Sequence, residues 1–266
     1  MRIILLLIGL TLLIPSCRKS GFTEMGIFTP YTFNPEKLNG RVRVLTERYY
    51  LALPDGNNFS KGPRITLSMR DSISWSNDYV VYFDKNGLIT STSFIDENDK
   101  PFSTWNMEIS NSRITEATWT DHGVPDTHIR LRYTENGVLN TLEQYRAGSD
   151  SLNFRIAFTL DSRDIVTRWD FIRNDGDTIK SYLFRLDGDG RRTGYQELNR
   201  RGRVVIDTKY TYNDRGSTTE QLTFDGAGIP HVFTYTYTYD QRGNWIRAVA
   251  ESDKQTVIAE REILYY

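Results

Sequence analysis

A short turn signal recurs at near-constant spacing along most of this chain, and it constrains the fold more than any other feature. A four-residue stretch rich in Asp, Asn and Gly appears seven times, and its fourth residue recurs every 24 to 27 residues. Asp or Asn at the first position can accept backbone hydrogen bonds, and Gly at the fourth can adopt the positive φ that closes a hairpin. The spacing predicts tandem hairpins of about 26 residues each. The fourth residues are Gly87, Arg113, Gly137, Asp164, Gly190, Gly216 and Gly243, of which Arg113 and Asp164 tolerate a positive φ less well than Gly.

The residues before each turn alternate between apolar and polar. Positions four, six and eight before the fourth turn residue are apolar or aromatic in 20 of 21 cases, whereas position five is mostly polar. A period of two is typical of a strand with one buried face. The segment Thr234–Tyr239 shows this most plainly, since Thr and Tyr alternate throughout it. A second strand is predicted after each turn, so that seven hairpins supply about fourteen strands.

These patterns predict an all-β fold. Tandem antiparallel hairpins would lie side by side in one long sheet, which curls because strand twist accumulates and is therefore either open or barrel-like. The regular repeats are expected over residues 76–266, and one irregular hairpin over residues 40–75. The sequence contains no long stretch with the roughly 3.6-residue period of a helix, so no helical domain is predicted. The strand residues predicted for the irregular hairpin are Val42, Val44, Ile65 and Leu67.

The first 16 residues predict a signal peptide. Arg2 supplies a positive charge, and Ile3–Ile14 is an almost unbroken apolar run that is too short to span a bilayer. The run ends Leu-Ile-Pro-Ser before Cys17, which resembles the lipobox of bacterial lipoproteins. The alternative is an ordinary signal peptide with a coincidental Cys. Because Cys17 is the single Cys of the chain, no disulfide is predicted.

The lipobox resemblance implies a domain layout and a location. Residues 1–16 would be removed, residues 17–39 would form a lipidated N-terminus and tether with palmitate on Cys17, and residues 40–266 would form the β-repeat domain. In lipoproteins of the Bacteroidota type, an acidic stretch near the Cys often marks export to the cell surface. Residues 18–21 read Arg-Lys-Ser-Gly. A periplasm-facing protein of the outer membrane is therefore favoured over a surface-exposed one.

Three turns carry a longer motif. Tyr239–Trp245 reads Tyr-Asp-Gln-Arg-Gly-Asn-Trp and resembles the core of a YD (RHS-type) repeat, and Phe83–Ile89 and Leu186–Arg191 are further matches. The resemblance covers about residues 78–266. It implies antiparallel sheets that spiral into shells or lie extended. The family includes toxin-delivery shells, cell-surface adhesion proteins and small lipoproteins, so the resemblance implies an architecture and no single function.

Charge and the lack of familiar catalytic motifs narrow the function. With 33 Lys and Arg against 34 Asp and Glu, the net charge of −1 excludes broad phosphate neutralisation by a nucleic-acid binder. The sequence has no Gly-x-Ser-x-Gly elbow and no Ser-x-x-Lys. Asp187–Gly190 begins like a calcium loop but lacks the Glu at position twelve, and a hairpin turn is favoured there. No catalytic residue, metal site or cofactor is predicted.

The candidate ligand-binding residues are three tryptophans outside the apolar register of the first strands: Trp119, Trp169 and Trp245. Exposed aromatic rings on a sheet can stack on sugar rings. The alternative is that these rings pack at sheet ends or beneath loops.

The sequence predicts a non-enzymatic, lipid-anchored envelope protein whose sheet is a scaffold or a surface for a protein partner. Glycan binding through surface aromatics is the first alternative, and a glycan-active enzyme is the second. An outer-membrane barrel is disfavoured because lipid-facing strands need continuous apolar alternation. The residues that interrupt such alternation in the second strands are Thr90, Thr92, Glu116 and Arg192.

Overall fold

The computed structural model describes residues 38–66, 68–69 and 78–266, which form seventeen antiparallel strands. The predicted signal peptide, Cys17 and most of the predicted tether lie outside these residues, as does Leu67. Among the described residues, no helix has the length and apolar character needed to cross a membrane. The strands are β1 Val42–Asp55, β2 Asn58–Arg64, β3 Asp78–Phe83, β4 Ile89–Ile95, β5 Pro101–Ser110, β6 Arg113–Asp121, β7 Val124–Tyr133, β8 Leu139–Arg146, β9 Leu152–Leu160, β10 Val166–Arg173, β11 Thr178–Leu186, β12 Arg192–Asn199, β13 Val204–Tyr212, β14 Thr218–Phe224, β15 Pro230–Tyr239, β16 Trp245–Ser252 and β17 Thr256–Tyr265.

Sixteen of the described strands close into a barrel. From β3 to β17 each strand pairs with the next along the chain, and β1 pairs with β17 on one side and with β3 on the other. One edge of β1 pairs with two different strands. Its residues Val44–Glu47 pair with β3, and its residues Tyr50–Asp55 pair with β2. The all-β antiparallel prediction is confirmed. The sequence left closure open, and the pairing of β1 with β17 decides it.

The β1–β2 hairpin forms an arm beside the ring of strands. Lys61 Nζ donates to Glu260 Oε2 at 2.7 Å, and Arg247 Nη2 donates to the carbonyl oxygen of Phe59 at 2.7 Å. Both contacts join the arm to β16 and β17. Ile258, which alternation places on the outer side of β17, is completely buried. The arm therefore lies against the outer wall at the point where β17 meets β1.

The hairpin turns follow the predicted chemistry. Asp84 Oδ1 accepts hydrogen bonds from the backbone N–H groups of Asn86 and Leu88, at 2.8 and 2.9 Å, and Gly87 has a φ of 87°. Asp164, which replaces Gly, adopts the same left-handed conformation with a φ of 60°. Turns of the Asp84 type occur at both ends of the barrel. They begin at Asp96, Asp161, Asp187, Asn199, Asn213, Asp225 and Asp240.

The turn between β5 and β6 differs from the prediction. Ser110 pairs directly with Arg113, and the two residues between them, Asn111 and Ser112, have φ values of 52° and 59°. Arg113, which the spacing placed at the fourth turn position, is instead the first residue of β6. A two-residue turn with two positive φ values suits the twist of a hairpin. The positive φ values therefore fall on Asn111 and Ser112 and not on Arg113.

Apolar and aromatic side chains line the interior of the barrel. Tyr79, Val81 and Phe83 of β3 are buried, whereas Tyr82 between them points outward and is 43% exposed. The buried residues of β3 to β10 and of the start of β1 form one large cluster. A second cluster joins β15–β17 to β1, and a third, smaller one surrounds Tyr195. The predicted buried face of the first strands is therefore the inner face of the barrel.

Candidate functional site

The outer wall carries ion pairs both within single strands and between strands. Arg130 on β7 lies across from Glu116 on β6 and Glu143 on β8, and its Nε is 3.6 Å from Glu116 Oε1. Arg132 Nε donates to Glu143 Oε2 at 3.2 Å. Exposed pairs of this kind stabilise a fold by at most about 1 kcal/mol each. These ion pairs make the outer surface of the barrel charged and polar. Further outer pairs are Arg168 with Asp170, Arg185 with Asp207, and Arg48 with Glu262.

The three candidate tryptophans lie inside the barrel. Trp169 is 7% exposed, Trp245 is 1% exposed and Trp119 is half-buried. The prediction of exposed rings is therefore wrong for Trp169 and Trp245, and the packing alternative describes them better, although they pack within the barrel and not at sheet ends. The physical reason is the pairing register, which places each Trp opposite an inward aromatic residue. The pairs are Trp119 with Trp105, Trp169 with Phe158, and Trp245 with Tyr239.

At one end of the barrel, arginines of the turns stack on tyrosines of the next hairpin. We call this end, which carries Gly87 and Gly243, the terminal rim, and the opposite end the far rim. The Arg113 guanidinium lies 5.4 Å from the ring centroid of Tyr133, whose hydroxyl donates to the carbonyl oxygen of Ile114 at 2.5 Å. These contacts connect successive turns, and sequence reasoning missed them. The same stacking joins Arg191 to Tyr212, Arg215 to Tyr239 and Arg242 to Tyr265.

The described chain begins at a fixed point on the terminal rim. The Asn39 backbone N–H donates to Asn244 Oδ1 at 2.6 Å, and Asn244 Nδ2 donates to the Asn39 carbonyl oxygen at 2.9 Å. The Tyr265 hydroxyl donates to Asp240 Oδ2 at 2.6 Å in the adjoining turn. The residues that follow the predicted tether are thus held against the turn between β15 and β16.

One ion pair is buried inside the barrel. Glu47 accepts hydrogen bonds from Arg261 Nε and from the Tyr79 hydroxyl, both at 2.6 Å, and from the Tyr49 hydroxyl. The Arg261 guanidinium lies 3.4 Å from the ring centroid of Trp245. Burial, and then the charge of Glu47, raise the pKa of Tyr79 well above its usual value, so that its hydroxyl stays a donor. The desolvation cost of this pair is offset by its hydrogen bonds and its stacking.

A lysine also faces the interior. Lys180 Nζ donates to the Tyr182 hydroxyl at 2.8 Å and lies 4.9 Å from the ring centroids of both Phe171 and Tyr182. Burial lowers the pKa of Lys180, against the opposing charge of Glu197. In the part of the chain that the structure describes, no three His, Cys, Asp or Glu side chains come together as a metal site.

A second interior group is uncharged, and we call it the inner polar cluster: Tyr210 on β13, Gln221 on β14 and Tyr235 on β15. These residues are 5%, 2% and 3% exposed, and Tyr210 pairs directly with Gln221. Both tyrosine hydroxyl oxygens and Gln221 Oε1 are buried without a hydrogen-bond partner among the described residues. Burial raises the pKa of both tyrosines, so they remain neutral. Buried polar groups in native proteins are satisfied by protein, water or ligand, which makes this cluster the candidate binding site.

Solved structures resemble this chain in fold, whereas the sequence comparisons find no match. No protein-family model matches the chain, and a search of curated proteins finds no match. A porin-like protein from Bacteroides uniformis matches with a TM-score of 0.54 and 12% identity, over 85% of this chain and 98% of that chain. This likeness shows the fold alone.

Two other solved structures match at lower TM-scores. A porin-like protein from Bacteroides vulgatus has a TM-score of 0.31 and 11% identity, over 85% of this chain and 99% of that one. The Photorhabdus luminescens Tc holotoxin pore has a TM-score of 0.33 and 14% identity, over 85% of this chain and 13% of that one. Likenesses at this level carry no argument about this chain, and the YD-type assignment stays a prediction.

Proposed function

We propose that this chain is a lipid-anchored, non-enzymatic protein of a bacterial cell envelope, whose barrel stands outside the bilayer as a scaffold or a surface for a protein partner. The observation that carries the proposal is the distribution of side chains: aromatic and aliphatic groups point inward, and ion pairs cover the outer wall. The lipobox at Cys17 and the fold shared with a porin-like Bacteroides protein support an envelope location. We place the anchor in the outer membrane, with the barrel in the periplasm.

The charges of the outer wall support a barrel that stands outside the bilayer over one that spans it. An Arg that faces lipid near the midplane of a bilayer costs roughly 2–4 kcal/mol. The wall places Arg130, Arg132, Arg168 and Arg185 within its strands. All four lie within three residues of the terminal-rim ends of their strands, where the cost falls toward about 0–1 kcal/mol each and rises with the depth at which that rim would sit. A barrel in water avoids this cost.

The partner surface is proposed to be an apolar patch near the far rim. Closure pairs both edges of every ring strand along most of its length, so a partner has little edge in the described chain on which to add a strand. Val204, Ile229 and Val232 are 47%, 55% and 44% exposed on or beside β13 and β15. Exposed apolar groups in a polar wall favour protein contact. In a pull-down from solubilised envelopes, Val232→Lys should lose a stoichiometric partner that Leu53→Lys, which changes an exposed residue of the arm, retains.

The hairpins are interpreted as tandem repeats of about 26 residues that resemble YD-type units. Arg–Tyr contacts at four turns of the terminal rim support this interpretation, and the Arg stands at the fourth turn residue or one residue to either side of it. Structure-guided alignment of the hairpins in related chains should keep Arg and Tyr paired at these positions. Independent variation of the two would contradict the repeat interpretation.

A cleavage experiment tests the lipid anchor and the position of the barrel together. A protease site placed between Ser20 and Leu38 should allow cleavage to release the barrel from membranes into buffer without detergent. A scrambled site should leave it in the membrane pellet. A cleaved barrel that stays in the pellet after an alkaline carbonate wash, which strips bound partner proteins from membranes, would overturn the proposal. Palmitate labelling that persists in Cys17→Ser would refute the lipid attachment.

A further inference from the structure

We propose that the inner polar cluster binds a small, uncharged, hydroxyl-bearing molecule of monosaccharide size inside the barrel. The inference does not depend on the lipid anchor or on the partner surface. It starts from three buried polar atoms on three adjacent strands, the hydroxyls of Tyr210 and Tyr235 and the Oε1 of Gln221, which have no partner within the described chain.

The chemistry of these atoms selects the ligand. Gln221 Nε2 donates one of its two N–H groups to Thr223 Oγ1 at 3.2 Å, so the amide offers its unpartnered acceptor oxygen and one further N–H. That oxygen needs an O–H or N–H group, whereas each phenol can either donate or accept. The hydroxyls of Thr208 and Thr223, 3.1 Å apart, extend the polar surface on β13 and β14. A molecule that carries several hydroxyls satisfies all of these groups.

The surroundings favour an uncharged ligand. Burial keeps Tyr210 and Tyr235 protonated, so neither offers a charge. The cation whose charge acts on Tyr210, the Arg192 guanidinium, lies 3.7 Å from the ring centroid of Phe184 and 5.6 Å from that of Trp169. An ionic ligand would lose its hydration in this interior, and Arg192 is already stacked on aromatic rings.

The ligand size that we propose rests on the spacing of the three groups. Neighbouring strands lie about 4.8 Å apart, so groups on three adjacent strands span roughly 10 Å, the width of one sugar ring with its hydroxyls. The rings of Tyr195 and Tyr210, with centroids 6.4 Å apart, supply the apolar surface that the C–H faces of a sugar contact. Toward the far rim, Thr223 and Phe233 are only half-buried, so we place the access route there.

Thermal unfolding of the full chain with D-xylose, D-glucose or D-glucuronate, each up to 10 mM, tests the proposal. At least one neutral sugar should raise the Tm saturably, and D-glucuronate should not. Tyr235→Phe and Tyr210→Phe, which keep the ring and remove the hydroxyl, should weaken binding at least about tenfold, the loss expected for one buried hydrogen bond. Tyr82→Phe on the outer wall is the matched control and should bind like the wild type.

Three outcomes would overturn the proposal. The first is no saturable shift with either neutral sugar. The second is an equal shift in all variants, which is the general effect of an osmolyte on protein surfaces. The third is a shift with D-glucuronate alone, which would identify an anion site. The fluorescence of buried Trp245, whose ring centroid lies 5.9 Å from that of Tyr237 beside the cluster, gives a second readout on the wild type that needs no variant.

Discussion

The two halves of the barrel have different inner faces. From β3 to β10 the inward residues are mostly large apolar side chains that form one continuous cluster with the start of β1. From β12 to β17 the interior contains tyrosines, threonines, Gln221 and three alanines, and its buried apolar residues fall into two smaller clusters. The buried Glu47–Arg261 pair lies at the boundary, where β17 meets β1. The first half therefore supplies hydrophobic stability, and the second half holds polar groups that a filled core would exclude.

The largest expected effect is at the boundary of the two halves. Glu47→Ala would leave the Arg261 guanidinium buried without its counterion, which typically costs about 3–5 kcal/mol. Urea unfolding should show a loss of this size. Glu262→Ala, which removes an exposed outer-wall partner of Arg48 at 3.5 Å, should cost less than about 1 kcal/mol. Equal losses for the two variants would contradict a special role for the interior pair.

Truncation in the apolar half comes next. Leu131 points inward from β7 and is buried in the large cluster, so Leu131→Ala should destabilise the barrel by about 2–5 kcal/mol. Val232→Ala on the outer wall of the other half should change stability by less than about 0.5 kcal/mol. Denaturant midpoints measure both. A small loss for Leu131→Ala would mean that the apolar half is not tightly packed.

A hydroxyl deletion in the polar half should have the opposite sign. Tyr235→Phe removes a buried hydroxyl without a protein partner, so the ligand-free barrel should be unchanged or gain up to about 1–2 kcal/mol. Tyr133→Phe, whose hydroxyl donates to the Ile114 carbonyl oxygen, should lose about 1 kcal/mol. If Tyr235→Phe loses as much as Tyr133→Phe, the hydroxyl of Tyr235 is already satisfied in the ligand-free protein.

The smallest effect per residue is expected in the turns, which both halves share. Backbone N–H groups of Lys100, Ile165 and Ile229 lower the pKa values of the turn carboxylates that begin their loops. A carboxylate with a lowered folded pKa contributes stability above its unfolded pKa, about 3.9, and loses it as pH falls through the folded value. Urea midpoints should therefore hold from pH 7 to about 5 and decline from about pH 4 downward. Asp96→Asn should reduce this decline, because Asn199 and Asn213 make the same turn contacts.

The local structure could be predicted from the sequence, because each hairpin is defined by its own turn and its own alternation. Gly87 and Asp164 adopt the expected conformation, and Val81 and Phe83 point to the expected face. The position of Trp169 could not be predicted in this way. A bulge after the β9–β10 turn, between Val166 and Arg168, changes the register and places Trp169 opposite Phe158.

Closure and the inner polar cluster depend on contacts that are distant in sequence. The pairing of Val42 with Tyr265 brings together opposite ends of the described chain, and no local pattern specifies it. Tyr210 and Tyr235 fit the buried register, so the sequence identified their rings as core residues and gave no sign that their hydroxyls lack partners. The Arg–Tyr contacts of the terminal rim left a recurrent signal in the sequence: the Arg lies within one residue of the fourth turn residue, and in three of the four contacts the Tyr lies four residues before the next fourth turn residue.

The divided pairing of β1 has a consequence for the order in which the strands assemble. Hairpins from β3 onward can form as soon as each pair of strands has emerged, but β1 waits for β17 along the edge that closes the ring. The first strand of the ring along the chain thus acquires its last neighbour only when β17 is in place. Until then the interior, with Glu47 and Arg261 still apart, is open to water along a single seam.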